Sequence, residues 1–87
     1  MPDTLHLNLR REYFAQIAAK TKHVEYRKRT PYWRKRLEGR NYDVIKFRNG
    51  YATRAPEMIV QFRALKKRRM YYEILLGRVL KIKRWKP

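Results

Sequence analysis

The residues of this chain best equipped for chemistry lie close together in the segment Lys22-His23-Val24-Glu25-Tyr26-Arg27. Alternation predicts a strand here, with Val24 and Tyr26 on the buried face and Glu25 and Arg27 side by side on the opposite face. Lys22 stands at the entrance of this strand, where its long side chain can reach the same face. The spacing therefore predicts a carboxylate between two cations.

Such a carboxylate could serve as a general base, or its cations could hold an anion. Neighbouring cations favour the ionised carboxylate, which suits a preorganised site for an anion or a base edge better than proton transfer. If the chain is an enzyme, Lys22 and Glu25 are the catalytic candidates. An ordinary ion pair on a solvated sheet face would have the same spacing.

Composition excludes several other chemistries. The chain has no cysteine and no serine, which rules out a Cys/His or Ser/His nucleophile system and a disulfide framework. The two histidines, His6 and His23, have no spacing typical of a metal site. The glycines are isolated, so no phosphate-binding loop is present. We expect neither a metal nor a cofactor.

The charge balance points to a polyanionic partner. The 87 residues include 24 Lys and Arg against 7 Asp and Glu, a net charge of +17. Positive charge on this scale is typical of nucleic-acid-binding proteins, and less often of proteins that bind membranes or anionic proteins. No apolar run approaches a membrane span and no signal peptide is evident. We expect a soluble, cytoplasmic protein that does not bind membranes, and self-repulsion favours a monomer.

Aromatic residues interleave with the cations, a pattern that suits single-stranded nucleic acid. Tyr32 and Trp33 could stack on bases, although core packing would explain Trp33 equally well. Arg34 and Arg36 could contact phosphates. The group Arg48, Asn49 and Tyr51, at an Asn-Gly turn, is predicted to form another part of a binding rim. The run Lys66-Lys67-Arg68-Arg69 could be a phosphate clamp or only a charged hairpin tip.

Periodicity predicts about six strands and two short helices. The first helix should cover residues 10 to about 20, with Asn8 or a neighbour as its cap. The second should follow Thr30 as N-cap, with Pro31 at its first position and Gly39 as its stop. The strands are predicted over residues 4–9, 22–27, 42–48, 57–65, 71–76 and 78–84, and Gly77 separates the last two.

This set of elements predicts a mainly β (α+β) fold in one domain, residues 1–87. The elements are too few for a two-layer α/β sandwich of any size, so a small closed or nearly closed β-barrel is the simplest solution.

The core Lys22-x-x-Glu25-x-Arg27 resembles the signature of the ASCH domain family, G-x-K-x-x-E-x-R, which also follows a helix. The runs TPYWRKRLEGRNYDVIKFRNGYA, APEMIVQF and YYEILLGRVLKI resemble short single-domain members as well, so the resemblance covers nearly the whole chain. It implies a PUA-like β-barrel with Lys22, Glu25 and Arg27 lining a cavity associated with RNA or modified nucleosides. Some relatives act as ribonucleases or as amidohydrolases on acetylated cytidine.

The chain departs from this pattern at two positions. Lys20 stands where the family has glycine. Glu25 stands where the amidohydrolase branch has its threonine nucleophile, so that activity is not expected. The sequence thus predicts an RNA-binding protein that recognises a nucleotide or modified base in a cationic cavity. A ribonuclease or nucleoside hydrolase using Lys22 and Glu25, or a basic DNA-binding or ribonucleoprotein accessory protein, are the alternatives. The resemblance favours RNA, but no residue unmistakably reads a 2′-hydroxyl.

Overall fold

The computed structural model of the protein describes residues 3–86, which are mainly β. This part of the chain forms five strands, β1 Thr4–Asn8, β2 Val24–Lys28, β3 Val44–Arg48, β4 Glu57–Lys67 and β5 Tyr71–Lys83. Two short helices, α1 Arg11–Ala18 and α2 Pro31–Leu37, precede β2 and β3 respectively. The predicted mainly β fold with two helices is confirmed in this coarse sense.

The five strands make one sheet in the order β1-β3-β4-β5-β2, curled into a half-barrel. β1 pairs with β3 in parallel, and the other neighbours are antiparallel. β1 and β2 are the two edge strands, and within residues 3–86 no strand pairing joins them. The barrel is therefore open along one side.

The prediction of two strands after the β4–β5 turn is wrong, because β5 runs unbroken through Gly77. Its register against β4 shifts between Ile59 and Ala64, which accommodates the irregularity without ending the strand. A Cβ at Gly77 would come within 2.8 Å of the Gln61 Cβ, so glycine allows the two strands to approach closely here. Gly77 thus marks a bulge rather than a strand end.

The core lies on the concave face of the sheet. The predicted alternation is confirmed in β1 and β3, where Leu5, Leu7, Ile45 and Phe47 are buried. The helices cover this face with their own apolar residues, chiefly Phe14 and Ile17 of α1 and Leu37 of α2. In β1 and β3, alternation places the polar residues between them, such as His6 and Lys46, on the convex face.

The cap of α1 differs from the prediction. The helix begins at Arg11 and its N-cap is Arg10, which makes no side-chain capping hydrogen bond. Asn8 instead donates from Nδ2 to the Gly50 carbonyl at 2.8 Å. The side chain that could have capped α1 therefore joins β1 to the loop after β3.

The ends of α2 are those predicted. The Trp33 N–H donates to the Thr30 hydroxyl at 3.2 Å, and Pro31 opens the helix. Gly39 follows the helix with φ of +71°, the left-handed conformation that glycine adopts at no steric cost. Local signals therefore predict both ends of this helix.

None of the helices within residues 3–86 has the length and apolar character needed to cross a membrane.

Candidate functional site

A cavity of about 550 Å³ lies beside the open side of the half-barrel, between the edge strands β1 and β2. The end of β1 and the start of α1 form one wall, β2 forms another, and α2 contributes the third. Its lining residues are Asn8, Leu9, Arg10, Tyr13, Lys22, Glu25, Tyr26, Arg27, Lys28, Thr30 and Trp33. The structure thus gathers Lys22, Glu25, Arg27 and Trp33 of the predicted site residues around one concavity.

The predicted orientation of β2 is wrong. Glu25 is buried, with 5% of its surface exposed, whereas Tyr26 is 49% exposed. The register explains this, because Glu25 pairs with the buried Ile74 and Arg27 pairs with the buried Tyr72. The charged pair therefore faces the concave side, whereas the half-exposed Tyr26 ring lies at the edge of the cavity.

Two cations neutralise the buried carboxylate. The Lys22 Nζ lies 3.5 Å from Glu25 Oε1, and the Arg27 Nη1 donates to Glu25 Oε2. The side chains of Lys22 and Arg27 are 16% and 17% exposed, so both cations border the cavity from partly buried positions. Pairing of this kind makes burial of a carboxylate tolerable.

Arg27 also connects the two edge strands. Its Nη2 donates to the Asn8 carbonyl at 3.2 Å, and its Nη1 donates to the Tyr26 carbonyl at 2.8 Å. One guanidinium thereby spans the gap that the sheet leaves unpaired, in the fork geometry that only arginine provides. On the open side of the half-barrel, the Arg27 side chain therefore connects β1 and β2 in place of backbone hydrogen bonds between the strands.

Aromatic rings surround the two cations. The Lys22 ammonium lies 5.4 Å from the centroid of the Tyr13 ring and 5.2 Å from that of Tyr26. The Arg27 guanidinium lies 5.2 Å from the centroid of Trp33. These distances are within cation–π range, so the rings help to hold the cations at the cavity wall.

The turn between α1 and β2 sets the position of Lys22. Lys20 has φ of +65°, and the N–H groups of Lys20 and Thr21 donate to the carbonyls of Ile17 and Gln16. These bonds close the C-terminal end of α1. Lys22 therefore leaves the helix in a fixed direction, towards Glu25.

On α2, the predicted binding residues divide into cavity and surface positions. Trp33 lines the cavity, while Tyr32 is 59% exposed and meets the Trp33 ring edge-on at 4.9 Å. Arg34 is exposed, and its charge helps to lower the pKa of Glu38 one turn further along the chain. Arg36 is partly buried, with its guanidinium 5.3 Å from the Tyr32 ring and 5.7 Å from the Trp33 ring. Arg34 is therefore open to solvent, whereas Arg36 is packed against the aromatic pair.

The loop after β3 is tied to the cavity edge. The Asn49 Nδ2 donates to the Leu9 carbonyl at 3.0 Å, and the Gly50 N–H donates to Asn8 Oδ1 at 3.2 Å. Tyr51, which follows, is 87% exposed. Asn49 thus helps to build the rim through its amide, while the Tyr51 ring is open to solvent and does not line the cavity.

Arg48 points elsewhere. Its Nε lies 3.5 Å from Glu57 Oε1, and its Nη2 donates to the Ala52 carbonyl at 2.6 Å. Lys46 and Arg84 also reach Glu57, at 3.8 and 3.5 Å. The Arg48 guanidinium is therefore committed to this separate cluster around Glu57 and to the Ala52 carbonyl of the loop.

Sequence reasoning missed several lining residues, among them Asn8, Tyr13 and Tyr26. The periodicity of α1 groups Tyr13 with Phe14 and Ile17, yet Tyr13 is 39% exposed while the other two are buried. If the buried face of α1 is centred on Phe14 and Ile17, Tyr13 lies at the edge of that face. Nothing in the local sequence indicates that the end of β1 faces β2, because that contact depends on the curl of the sheet.

Tyr72 shifts the pKa of a second carboxyl group, that of Glu38. The Tyr72 hydroxyl donates to Glu38 Oε2, and this hydrogen bond lowers the pKa of Glu38, assisted by Lys67. Burial raises the pKa of Tyr72, and the bond to Glu38 raises it further. The pair connects the end of α2 to β5 behind the cavity, so it supports the site without lining it.

The cavity offers hydrogen-bonding groups of both kinds. Each oxygen of Glu25 already meets one cation, so the carboxylate retains acceptor capacity but is not a free base. Lys22 and Arg27 supply donors. Residues 3–86 contain no group of three or more His, Asp or Glu side chains that could hold a metal ion. The arrangement is suited to binding a planar ligand with donors and acceptors on one edge.

Comparison of the chain with protein-family models, with curated proteins and with solved structures gave no match.

Proposed function

We propose that this protein binds RNA and that the cavity beside Glu25 receives one base of the strand. The observation that carries the proposal is the buried Glu25 carboxylate, held by Lys22 and Arg27 at the wall of an open cavity. A carboxylate is costly to bury, and this one lies at a concave surface where a ligand can reach it.

The chemistry of a base edge matches these groups. A carboxylate accepts from an exocyclic amino group, and arginine or lysine donates to a carbonyl oxygen or ring nitrogen of a base. Single-stranded segments expose these edges, whereas a paired helix hides them. A base entering the cavity would share Glu25 with the two cations that already hold it.

The size and lining of the cavity support the same proposal. Its volume of about 550 Å³ lies within the range of roughly 300–1,000 Å³ that is common for small-molecule sites. Tyr13, Tyr26 and Trp33 border it, and aromatic rings are the usual stacking partners of unpaired bases. The exposed Tyr51 ring, two residues after Asn49, would be available to stack on a further base.

The net charge of +17 would supply affinity independent of sequence. Exposed cations near the cavity, such as Lys28 and Arg34, would contact phosphates. Phosphate contacts position a strand but carry no sequence information. Selectivity would therefore come from the cavity and general affinity from the surface.

We also propose that the chain is a short member of the ASCH family. Lys20 stands where the family signature has glycine, and its φ of +65° is in the left-handed region that favours glycine. The backbone there has the conformation that the signature glycine would adopt with ease. This agreement supports the family proposal from a property that the sequence alone does not give.

Binding selectivity provides the test. Fluorescence anisotropy with labelled single-stranded RNAs that differ at one base, and with the matched DNAs, should reveal a preference of about 5- to 150-fold for one base, equivalent to about 1–3 kcal/mol. Glu25→Gln should reduce that preference to within about twofold while the salt dependence stays unchanged. Glu12→Gln, an equal change of charge at an exposed position, serves as the control. Equal selectivity in the wild type and Glu25→Gln would contradict the proposal.

A further inference from the structure

A second depression lies next to the cavity, on the other side of Lys22. Its volume is about 450 Å³, and it lies between the C-terminal end of α1 and the bulged stretch of β4 and β5. Lys22 lines both concavities, which makes them neighbours across one side chain.

The lining of this depression is strongly cationic. It includes Lys20, Lys22, Arg63 and Arg78, and no carboxylate lines it. Among the described residues, Lys22 has Glu25 as its ion-pair partner, whereas no salt bridge or side-chain hydrogen bond engages the charged groups of Lys20, Arg63 and Arg78. Three like charges left unpaired around one depression repel each other, so an anion bound there would relieve that repulsion.

Hydrogen bonds hold the backbone positions of Lys20 and Arg78, two residues that carry these cations. Lys20 is in the left-handed turn that closes α1, where its N–H donates to the Ile17 carbonyl at 3.0 Å. Gln61 Oε1 accepts from the Arg78 N–H at 3.0 Å, across the close approach at Gly77. Arg78 and Arg63 thus come from adjacent strands at a bulge, an irregularity that commonly redirects side chains near functional sites.

We infer that this depression binds the phosphodiester of a nucleotide adjacent to the one in the cavity. This inference rests on the proposed function, because it takes the ligand to be a single strand with one base beside Glu25. The strand would then pass over Lys22, with a base on one side and the backbone on the other. Arginine is well suited to this role because its planar fork matches the oxygens of a phosphate.

The salt dependence of binding tests the inference with the full chain. Each phosphate contact to a single strand contributes about 0.7 to the slope of log K against log salt. The double variant Arg63→Gln/Arg78→Gln should lower the magnitude of that slope by about 1.4. Between 50 and 200 mM KCl, the factor by which the affinity of the variant decreases should therefore be about sevenfold smaller than the factor for the wild type. Its preference among single-base RNA variants should be unchanged.

A matched control carries the same loss of charge elsewhere. Lys81 and Lys83 are exposed and line a separate depression beside Glu57. If the depression beside Lys22 holds the backbone, Lys81→Gln/Lys83→Gln should reduce the slope much less. Equal reductions in the two double variants would show that only overall charge matters and would overturn the inference.

The two proposals fail in different ways. If Arg63→Gln/Arg78→Gln keeps the RNA binding, the base preference and the salt slope of the wild type, only the phosphate site is overturned. An absence of any binding to single-stranded RNA by the wild type would overturn both. A dinucleotide with a bridging phosphate provides a second measurement, since the arginine variant should weaken it several-fold more than it weakens a single nucleoside.

Discussion

Replacing Glu25 by glutamine should reveal how strongly the folded state depends on the buried charge cluster. The amide would place a donor against one of two cations, Lys22 and Arg27, and within residues 3–86 neither cation pairs with another carboxylate. Breaking a buried ion pair from one side costs about 3–5 kcal/mol. Because Lys22 and Arg27 retain 16% and 17% exposure, water reaches them, and we expect a loss of about 2–3 kcal/mol in the free energy of unfolding.

Urea unfolding monitored by tryptophan fluorescence measures this loss, and thermal unfolding gives a second readout. For a domain of this size, 1 kcal/mol corresponds to a shift in Tm of about 4–8 °C, so Glu25→Gln should lower Tm by about 10–20 °C. Glu12→Gln adds the same charge at the exposed first turn of α1, where the helix dipole limits the effect to about 1 kcal/mol.

The comparison separates local pairing from general repulsion. If Glu12→Gln and Glu25→Gln lose equal stability, the loss reflects only the rise in net charge above +17, and the argument from the buried cluster is refuted. A loss confined to Glu25→Gln supports it.

Two further substitutions test the supports around the cavity. The hydrogen bond from Tyr72 lowers the pKa of Glu38 below its ordinary 4.5, so this shift stabilises the fold above pH 4.5 and the stabilisation is lost in acid. Burial and the bond to Glu38 raise the pKa of Tyr72 above 10.0, so that shift stabilises the fold below pH 10.0 and the stabilisation is lost in base. Tyr72→Phe should therefore be less stable than the wild type between these limits, with a difference that shrinks at both ends of a pH series of urea unfolding curves; a constant difference would contradict this. Gly77→Ala would place a Cβ 2.8 Å from the Gln61 Cβ and should cost about 1–3 kcal/mol, recovered in part by adding Gln61→Gly. A stable Gly77→Ala in the same unfolding assay would show that the bulge does not need glycine.

Local features of the fold were predictable from the sequence. Thr30, Pro31 and Gly39 define α2 because capping depends on residues within one turn. The alternation of Leu5, Leu7, Ile45 and Phe47 likewise identifies the buried faces of β1 and β3, since both strands have clearly apolar and polar sides.

The orientation of β2 could not be predicted in this way. Its five residues offer Val24 and Tyr26 against Glu25 and Arg27, and hydrophobicity alone places the charged pair outside. The structure reverses this, because the register with β5 and the neutralising cations let Glu25 face Ile74. A short strand with a carboxylate and a guanidinium two residues apart gives no reliable signal of which face is buried.

The cavity itself is a property of tertiary structure. The sequence identifies Lys22, Glu25 and Arg27 as a cluster, but their meeting with Asn8 and Tyr13 requires the curl that brings β1 towards β2. The continuity of β5 through Gly77 also depends on a distant residue, Gln61, on the adjacent strand. Isolated glycine predicts a break or a bulge equally, and only the partner strand decides between them.

A crystal structure of the protein with a short single-stranded RNA would test the central claim most directly. We expect one base in the cavity, with its edge within hydrogen-bond distance of the Glu25 carboxylate and of Lys22 or Arg27. A strand bound only through phosphates at the surface, with the cavity beside Glu25 empty of any base, would contradict the account.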